Sequence, residues 1–375
     1  MHIEFVKSNK VWRVGIIGCG WISGVHCEAL AMLANAKCVA CCGSSMEKAQ
    51  EFAAKHKIDH YFGDYRELAA SSEVEVVIIC TPNYLHHEMA ISCLQHGKHV
   101  IIEKPLAMSL EQCEDIIQQA QVANRIVGYA EELCFVPKFV AAKNKVQQGA
   151  IGEVRHIKQI EKHDGPHSRW FYEPDLAGGG IVIDMGCHSI EFARWFLGKP
   201  RVTSVWSHME TWLHREGVHP DVTKEEDHSI IHLEFENGAT ALLESSWTLK
   251  GGMDSRTEIH GTGGVIYADL LQQGMGMKMY SDHGGNEHPQ GWSFPEHSWN
   301  YQNGYPQELA HFLDCMEKGV QPMESAQDGL EVLEIILACY YSAGVGRKIN
   351  LPFRPRGIKR PIDLWLSPPT ELDYV

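Results

Sequence analysis

Short apolar runs alternate with amphipathic helical segments along the first third of this chain, and no other feature restricts its fold as strongly. The predicted strands lie at residues 11–17, 38–42, 74–80, 99–102 and 125–129. The predicted helices lie between them, at residues 24–33, 46–56, 84–96 and 109–123. Strands separated by helices pair in parallel, because each connection has to cross one face of the sheet. We therefore predict an α/β chain with a doubly wound parallel sheet in residues 1–134.

The pattern changes after Pro137, where one predicted helix at residues 138–149 precedes longer strand-like segments. These segments lie at residues 154–162, 202–212, 228–235, 239–246 and 265–270. Asn237-Gly238 joins two of them, and such a pair supplies the positive φ angles of a tight hairpin. Helices at residues 305–318 and 325–344 precede a tail that is predicted to be extended. Residues 135–375 are thus predicted to form an α+β domain around an antiparallel or mixed sheet.

Charge and composition exclude several classes of protein. The 33 basic and 48 acidic residues leave a formal net charge of −15, which repels the phosphates of nucleic acids and acidic membranes. No apolar run reaches the roughly 18–20 residues of a membrane helix, and the first residues lack the apolar core of a signal peptide. We expect a cytoplasmic protein whose twelve cysteines are reduced core thiols, since most of them lie inside apolar stretches.

The first predicted strand runs into GCGWIS at residues 18–23, a G-x-G-x-x sequence that opens a helix. Its two glycines allow a tight turn and a close approach of the backbone to a pyrophosphate, whose charge the helix N-terminus stabilises. Ser23 occupies the position where a third small residue, glycine or alanine, is usual. Four residues of this loop are predicted to bind a dinucleotide: Gly18, Gly20, Trp21 and Ile22.

The residues after the second strand bear on the choice between NAD and NADP. An acidic residue there would bond the ribose 2′-hydroxyl of NAD, but the sequence reads GSSMEK at residues 43–48. Ser44, Ser45 and Lys48 offer two hydroxyls and an ammonium group, which favours a 2′-phosphate and hence NADP. NAD, or the use of both, stays open, because Ser44 and Glu47 have the spacing of a capping box for the next helix.

Polar residues also follow the next two predicted strands, at the edge where doubly wound sheets bind their ligands. From CTPNYLH at residues 80–86 we assign four residues to the cofactor site: Thr81, Pro82, Asn83 and His86. The next strand ends in Glu103-Lys104-Pro105, and a charged pair at the end of a buried strand is costly without a purpose. Glu103 and Lys104 are therefore assigned to the cofactor site as well.

A further motif follows the three glycines at residues 178–180. Asp184 and His188 lie four residues apart in DMGCH, so on a helix they would project from one face and bring a carboxylate and an imidazole together. In the alternative interpretation, Asp184 caps the helix and His188 is a packed core histidine.

Together these motifs resemble the Gfo/Idh/MocA family of pyridine-nucleotide oxidoreductases, which is named after glucose–fructose oxidoreductase and inositol dehydrogenase. The matching segments are GCGWIS, CTPNYLHHEMA, EKP at residues 103–105, GGGIVIDMGCHSIEFARWFLG and the last amphipathic helix before INLP. They occur in the family's order between residues 11 and 352.

The resemblance implies an N-terminal Rossmann domain and a C-terminal domain on an open, mostly antiparallel sheet, through which such proteins commonly form homodimers or homotetramers. It also implies that Lys104, Asp184 and His188 surround the hydroxyl group that is oxidised. The chain departs from the family after the sixth strand, where Glu131 and Glu132 lie close to a position usually held by Asn or Arg. The polar groups around the nicotinamide are therefore expected to differ.

The expected chemistry needs no metal ion. A histidine titrates near neutral pH, so His188 is suited to take the hydroxyl proton while Lys104 polarises the oxygen and Asp184 orients the histidine. Further histidines stand at positions 163, 167, 208, 214, 219, 283 and 288, but none forms an i,i+4 pair on a predicted helix or has the C-x-x-C partner that specifies zinc. No metal site is predicted.

Residues 163–172 precede Asp184 and combine hydrogen-bonding groups with aromatic rings, which suits a polyol. Aspartate and histidine bind hydroxyl groups, and Trp170, Phe171 and Trp212 offer faces on which a sugar ring can stack. The predicted substrate-binding residues are Lys104, His163, Asp164, Trp170, Asp184 and His188.

The sequence thus predicts an NAD(P)-dependent oxidoreductase that moves a hydride between nicotinamide and a secondary hydroxyl or ketone of a sugar, cyclitol or glycoside, such as the 3-position of a glucoside. Two alternatives stay open. A redox-neutral glycoside hydrolase would keep NAD tightly bound and release an aglycone without net production of NADH. A non-catalytic regulator would bind a dinucleotide and a protein partner, although the presence of Lys104, Asp184 and His188 argues against it.

Overall fold

The computed structural model describes residues 10–218, 223–270, 276–285, 288–297 and 303–370. Its first sheet consists of β1 (Trp12–Ile17), β2 (Ala36–Cys42), β3 (His60–Phe62), β4 (Val76–Ile79), β5 (His99–Glu103) and β6 (Val127–Ala130). The connecting helices are α1 (Trp21–Ala31), α2 (Met46–His56), α3 (Tyr65–Ala70), α4 (His86–Gln95) and α5 (Leu110–Ala123). All pairs are parallel, in the order β3-β2-β1-β4-β5-β6, which is the doubly wound arrangement that the sequence predicts.

The second sheet consists of β7 (Val154–Lys162), β8 (Val202–Glu210), β9 (His228–Phe235), β10 (Thr240–Ser246), β11 (Asp254–Gly261), β12 (Gly264–Asp269), β13 (Met277–Ser281), β14 (Gly291–Ser293) and β15 (Ile349–Asn350). Within the described ranges the order is β14-β13-β12-β11-β7-β10-β9-β8-β15. Only the β7–β10 pair of this described sheet is parallel. The prediction of a mixed, mostly antiparallel sheet is therefore confirmed.

The remaining helices are α6 (Pro137–Gln147), α7 (Pro174–Ala177), α8 (Cys187–Leu197), α9 (Tyr305–Lys318), α10 (Ala326–Val345) and α11 (Asp363–Leu366). The chain divides into two compact units, and the N-terminal unit consists of His2–Glu132 together with Tyr305–Glu331. The C-terminal unit consists of Leu133–Gly304 and Val332–Val375. The sequence predicts one division of the chain, after residue 134. In the structure, the later helix α9 also belongs to the N-terminal unit, where Phe312 lies against Gly128.

Two local predictions need correction. The hairpin between β9 and β10 forms, but of its Asn-Gly pair only Gly238 has a positive φ angle, of 80°. Asn237 instead accepts a hydrogen bond from the Ala239 N–H through its side-chain oxygen, at 3.0 Å. The tail is not simply extended, because α11 forms within it and the Ile362 and Leu364 side chains are buried.

Other features follow the composition. Ten of the twelve cysteines are buried, and Cys19 and Cys38 are half-buried, in agreement with their prediction as core thiols. Among the described residues, no helix combines the length and the apolar character that crossing a lipid bilayer requires. His219 lies outside the described residues.

The turn after β1 depends on Gly18, which has a φ angle of 106°. A Cβ atom at this position would lie 2.3 Å from the carbonyl oxygen of Cys80, at the end of the neighbouring strand β4. Gly20, two residues later, is different, because its φ angle is −90° and a Cβ atom there would meet nothing within 4 Å. The first glycine is required by the fold, and the second leaves space at the start of α1.

Three consecutive acidic residues, Glu225, Glu226 and Asp227, are fully buried just before β9. The Glu226 carboxylate accepts hydrogen bonds from the N–H groups of Gly180 and Val182, at 3.2 and 3.0 Å, and from the Tyr340 hydroxyl at 2.6 Å. It thereby anchors the glycine segment before α8. Burial raises the pKa of Glu226 to about 7, although these hydrogen bonds favour its charged form.

Glu225 has fewer polar partners than its neighbour. Its Oε2 accepts a hydrogen bond from the Thr223 hydroxyl at 3.2 Å, while Oε1 is buried without a hydrogen bond. Burial, followed by the charge of Glu226, raises the pKa of Glu225 to about 9. This side chain is therefore mostly a neutral carboxylic acid at pH 7.

We expect Gly18→Ala to lower the thermal unfolding temperature, because the new methyl group meets the Cys80 carbonyl and alanine is strained at this φ angle, at a cost of about 1–3 kcal/mol or more. Gly20→Ala is the matched control and should melt like the wild type. Equal unfolding temperatures for the two variants, measured by circular dichroism, would contradict the assigned role of Gly18.

Glu225→Gln should make stability less dependent on pH. The folded state holds the Glu225 proton up to a pKa of about 9, whereas the ordinary value is 4.5, so this group's contribution is complete below 4.5 and is lost as the pH rises toward 9. Glutamine stays neutral, so the variant should lose less stability than the wild type between pH 5 and about pH 8.5. Glu51→Gln, at an exposed position, reports the general effect of losing one carboxylate. The free energy of unfolding is measured by urea unfolding at each pH, and an equal change with pH for the wild type and Glu225→Gln would refute the assigned protonation of Glu225.

Candidate functional site

The N-terminal unit presents an anion cradle at the start of α1. Gly20 precedes the helix without a side-chain capping bond, and the first turn contains no acidic residue. The N–H groups of a helix start carry partial positive charge, and the space beside Gly20 lets a ligand approach them. Trp21 is 64% exposed next to this start, and Ile22 is half-buried. The residues present thus fit the diphosphate of a dinucleotide.

The end of β2 brings the predicted ribose-binding residues together. Ser45, and not Ser44, is the N-cap of α2, since its hydroxyl accepts a hydrogen bond from the Lys48 N–H at 3.3 Å. The capping box of Ser44 and Glu47 is therefore wrong by one residue, and a lysine occupies the position where a box requires Glu or Gln. The Lys48 ammonium group instead donates to the Ser44 hydroxyl at 3.3 Å, on the exposed surface.

The polar residues after β4 and β5 hold these two loops in place. His86 is fully buried, with its ring nitrogens 2.8 Å from the Pro105 carbonyl oxygen and 2.9 Å from that of Thr81. Burial lowers the pKa of His86. Glu103 is 7% exposed, and its Oε1 lies 2.8 Å from His26 Nε2. These two predicted cofactor ligands act within the protein as links between loops and helices.

The other predicted residues at this edge differ in exposure. Thr81, Pro82 and Lys104 are half-buried, whereas Asn83 is only 3% exposed. Lys104 directly follows β5, as the sequence indicates.

In the C-terminal unit, Asp184 and His188 lie on one continuous but irregular helical segment. Residues Val182–Gly186 form a single π-helical turn that leads directly into α8. The segment thus begins before Asp184, which excludes the interpretation of Asp184 as a helix cap. Single π-helical turns are rare and recur at functional sites. His188, in the first turn of α8, is 4% exposed.

The Asp184 carboxylate is held from two sides. The indole N–H of Trp247, a fully buried residue, donates to Asp184 Oδ2 at 2.9 Å. His163 Nε2 lies 3.5 Å from the same oxygen, and His163 Nδ1 is 2.9 Å from the carbonyl oxygen of Gly165. The structure thus brings together Asp184 and His163, two of the predicted substrate-binding residues.

The remaining predicted substrate residues are arranged less closely. Asp164 is exposed. Trp170 stacks on Phe171 with ring centroids 3.8 Å apart, in the 3₁₀ turn Arg169–Tyr172. Trp212 stacks on His228 at 3.7 Å and is 49% exposed. Trp170 and Trp212 therefore each have one ring face against another ring of the protein.

Sequence reasoning assigned no role to Trp247, His214 or Asp227, and it included Tyr172 only as the end of the predicted substrate segment 163–172. Asp227 accepts hydrogen bonds from the backbone N–H groups of residues 212, 213 and 214, at 2.7 to 2.8 Å. One signal was available, because residues 225–227 place three acids directly before an apolar strand. Burying these acids is as costly as burying Glu103, whose position at the end of a buried strand marked it as a candidate.

Comparison with known proteins identifies the family of this chain. Residues 12–131 match the GFO_IDH_MocA oxidoreductase family model, described as an NAD-binding Rossmann fold, and residues 139–267 match the GFO/IDH/MocA C-terminal domain. The chain is 28% identical to myo-inositol 2-dehydrogenase of Thermotoga maritima, over 90% of this chain and 98% of that protein. It is 26% identical to D-glucoside 3-dehydrogenase of Escherichia coli, over 93% of this chain and 100% of that protein.

A solved structure has the same fold over nearly the whole chain. GenD2 from gentamicin A biosynthesis, in complex with NAD, superposes with a TM-score of 0.79 at 27% identity and covers 91% of this chain and 97% of its own. The first family model spans β1 to β6, and the second spans β7 to most of β12. The similar proteins match over almost their full length. The chain therefore belongs to the Gfo/Idh/MocA family of oxidoreductases, with an NAD-binding Rossmann domain at its N-terminus.

Proposed function

We propose that this oxidoreductase acts on a secondary hydroxyl or ketone of a sugar, cyclitol or glycoside, with the 3-position of a glucoside as the specific substrate position. The observation that carries the proposal is the Asp184 carboxylate, which a buried indole N–H holds on the helical segment that also contains His188. A fixed carboxylate and a histidine suit a hydroxyl group, because together they bind it and accept its proton. The names of relatives that match over their full length support this substrate class.

The proposed mechanism assigns one role to each of three residues. His188 takes the proton of the substrate hydroxyl during oxidation and returns it during reduction. Lys104 polarises the substrate oxygen, and Asp184 orients the substrate and the histidine through hydrogen bonds. A dinucleotide held by Gly18 and Gly20 at the start of α1 would supply a nicotinamide as the hydride acceptor in oxidation and the hydride donor in reduction.

For the cofactor, we propose that NADP is accepted in addition to NAD. The support is the cluster at the end of β2, where the Lys48 ammonium group and the Ser44 hydroxyl are in contact at an exposed position. Such a pair offers a positive charge and a donor to a 2′-phosphate. The family model is described as an NAD-binding domain, and we assign the acceptance of NADP to these few residues.

The catalytic assignment is tested with Lys104→Met and His188→Gln, which preserve the approximate size of each side chain. Both variants should lose about 10²–10⁴-fold in kcat with a panel of inositols and glucosides, and His188→Gln should retain dinucleotide binding, measured by fluorescence titration. His60→Gln, on the exposed strand β3, is the control and should keep wild-type turnover. Full turnover by either variant would refute its role, and aglycone release without net NADH would favour the redox-neutral hydrolase instead.

The cofactor assignment is tested with Lys48→Ala. Loss of the ammonium group should weaken NADP binding about tenfold and leave NAD binding unchanged, because only NADP carries the 2′-phosphate. Lys55→Ala, at the exposed end of the same helix, controls for the general loss of positive charge. If Lys48→Ala weakens both cofactors equally, or neither, the proposed use of Lys48 is wrong.

A further inference from the structure

Three polar side chains of the C-terminal unit form a linear chain of hydrogen bonds. Asp227 Oδ2 lies 3.1 Å from His214 Nδ1, and His214 Nε2 lies 3.3 Å from the Tyr172 hydroxyl oxygen. Asp227 and His214 are fully buried, whereas Tyr172 is half-buried. The chain thus leads from the interior to a side chain that solvent reaches.

The buried end of this chain determines where its protons lie. Burial alone would raise the pKa of Asp227, but hydrogen bonds from the His214 side chain and from backbone N–H groups hold it below the ordinary value. Asp227 is therefore a carboxylate, and His214 donates to it through Nδ1–H. With Nδ1–H directed to Asp227, Nε2 is the ring nitrogen that faces the Tyr172 hydroxyl.

The Tyr172 ring lies beside the residues that hold Asp184. It packs edge to face against Trp247, with ring centroids 5.7 Å apart and planes at 73°. Trp247 is the residue whose indole N–H binds Asp184. The backbone that follows His163 also passes close by, because a Cβ atom at Gly165 would lie 3.1 Å from the Tyr172 hydroxyl oxygen.

We infer that His214 Nε2 accepts the proton of the Tyr172 hydroxyl, and that Tyr172 contacts the substrate and accepts a hydrogen bond from a second hydroxyl group, next to the one that is oxidised. This inference rests on the proposed function. Because the Tyr172 proton is directed to His214, the phenolic oxygen meets a ligand as an acceptor. The ligand group must then be a donor, so the substrate class is a vicinal diol, and an ether or a deoxy carbon at the second position is disfavoured. His214 and Asp227 are positioning residues that act through Tyr172.

The test combines a change in the protein with a change in the substrate. The wild type and Tyr172→Phe are compared on a polyol that the wild type oxidises, and on its deoxy and O-methyl analogues at the carbons that flank the oxidised one. Tyr172→Phe should lower kcat/KM for the parent polyol roughly tenfold, mainly through KM, because one hydrogen bond is lost. With one flanking deoxy analogue, the two proteins should have the same kcat/KM, since the partner of Tyr172 is already missing.

His214 variants show whether orientation of the Tyr172 hydroxyl matters. His214→Leu removes the acceptor and should reduce the preference for the parent polyol over that analogue, and Tyr172→Phe/His214→Leu should show no further loss beyond Tyr172→Phe. His214→Gln offers a side-chain oxygen to the Tyr172 hydroxyl and should restore part of the preference. Circular dichroism melts of each variant separate a loss of folding from a loss of selectivity.

The outcomes distinguish this inference from the proposed function. If the wild type oxidises a polyol and Tyr172→Phe affects the parent and every analogue equally, the contact with a second hydroxyl is refuted and the proposed function stands. An unchanged kcat/KM of Tyr172→Phe on the parent polyol refutes it as well. If the wild type oxidises no polyol, both fail. The comparison of parent and analogues on the wild type alone needs no variant, and equal kcat/KM values there would also overturn the inference.

Discussion

Two neighbouring carboxylates, Glu226 and Asp227, hold the C-terminal unit's polar region in place from the start of one strand. Glu226 binds the N–H groups of the segment that leads into the π-helical turn, and Asp227 binds those of residues 212–214. A buried carboxylate is costly unless several donors surround it, and here each acid has at least three. The positions of Asp184 and Tyr172 therefore both depend on the two acidic residues that directly precede β9.

Two of the three glycines before α8 are explained by the same constraint. A Cβ atom at Gly180 would lie 2.1 Å from the Glu226 carbonyl oxygen, and one at Gly179 would lie 2.0 Å from the Tyr340 hydroxyl oxygen. Only a chain without side chains at these points approaches the acidic residue closely enough to donate its N–H groups. The close contact also fixes the start of the helical segment that carries Asp184 and His188. The glycines are thus part of the support for the site.

In the N-terminal unit, sequence patterns predict most of the architecture because its strands are short, apolar and buried on both faces. Strand β3 and helix α3 were missed, because β3 has three residues and α3 has six, and such short segments show no informative periodicity. The loop of Gly18 was identified correctly, and its physical reason is the carbonyl oxygen of Cys80 on a neighbouring strand. The role of Glu103 as a partner of His26 could not be predicted, because the two residues are 77 positions apart.

For the C-terminal unit, the sequence determined the existence of a mixed sheet, its hairpin at Gly238 and the Asp184–His188 motif, since each depends on residues that are close together in the chain. Tertiary structure decided the rest. Trp247 reaches Asp184 across 63 positions, and Tyr172 reaches His214 across 42. Local periodicity reports only which face of an element is buried, whereas the partner of a buried polar group is chosen by the packing of distant segments. This is why the acid and the histidine of the motif were predicted from the sequence, and why Trp247, which donates a hydrogen bond to the acid, was not.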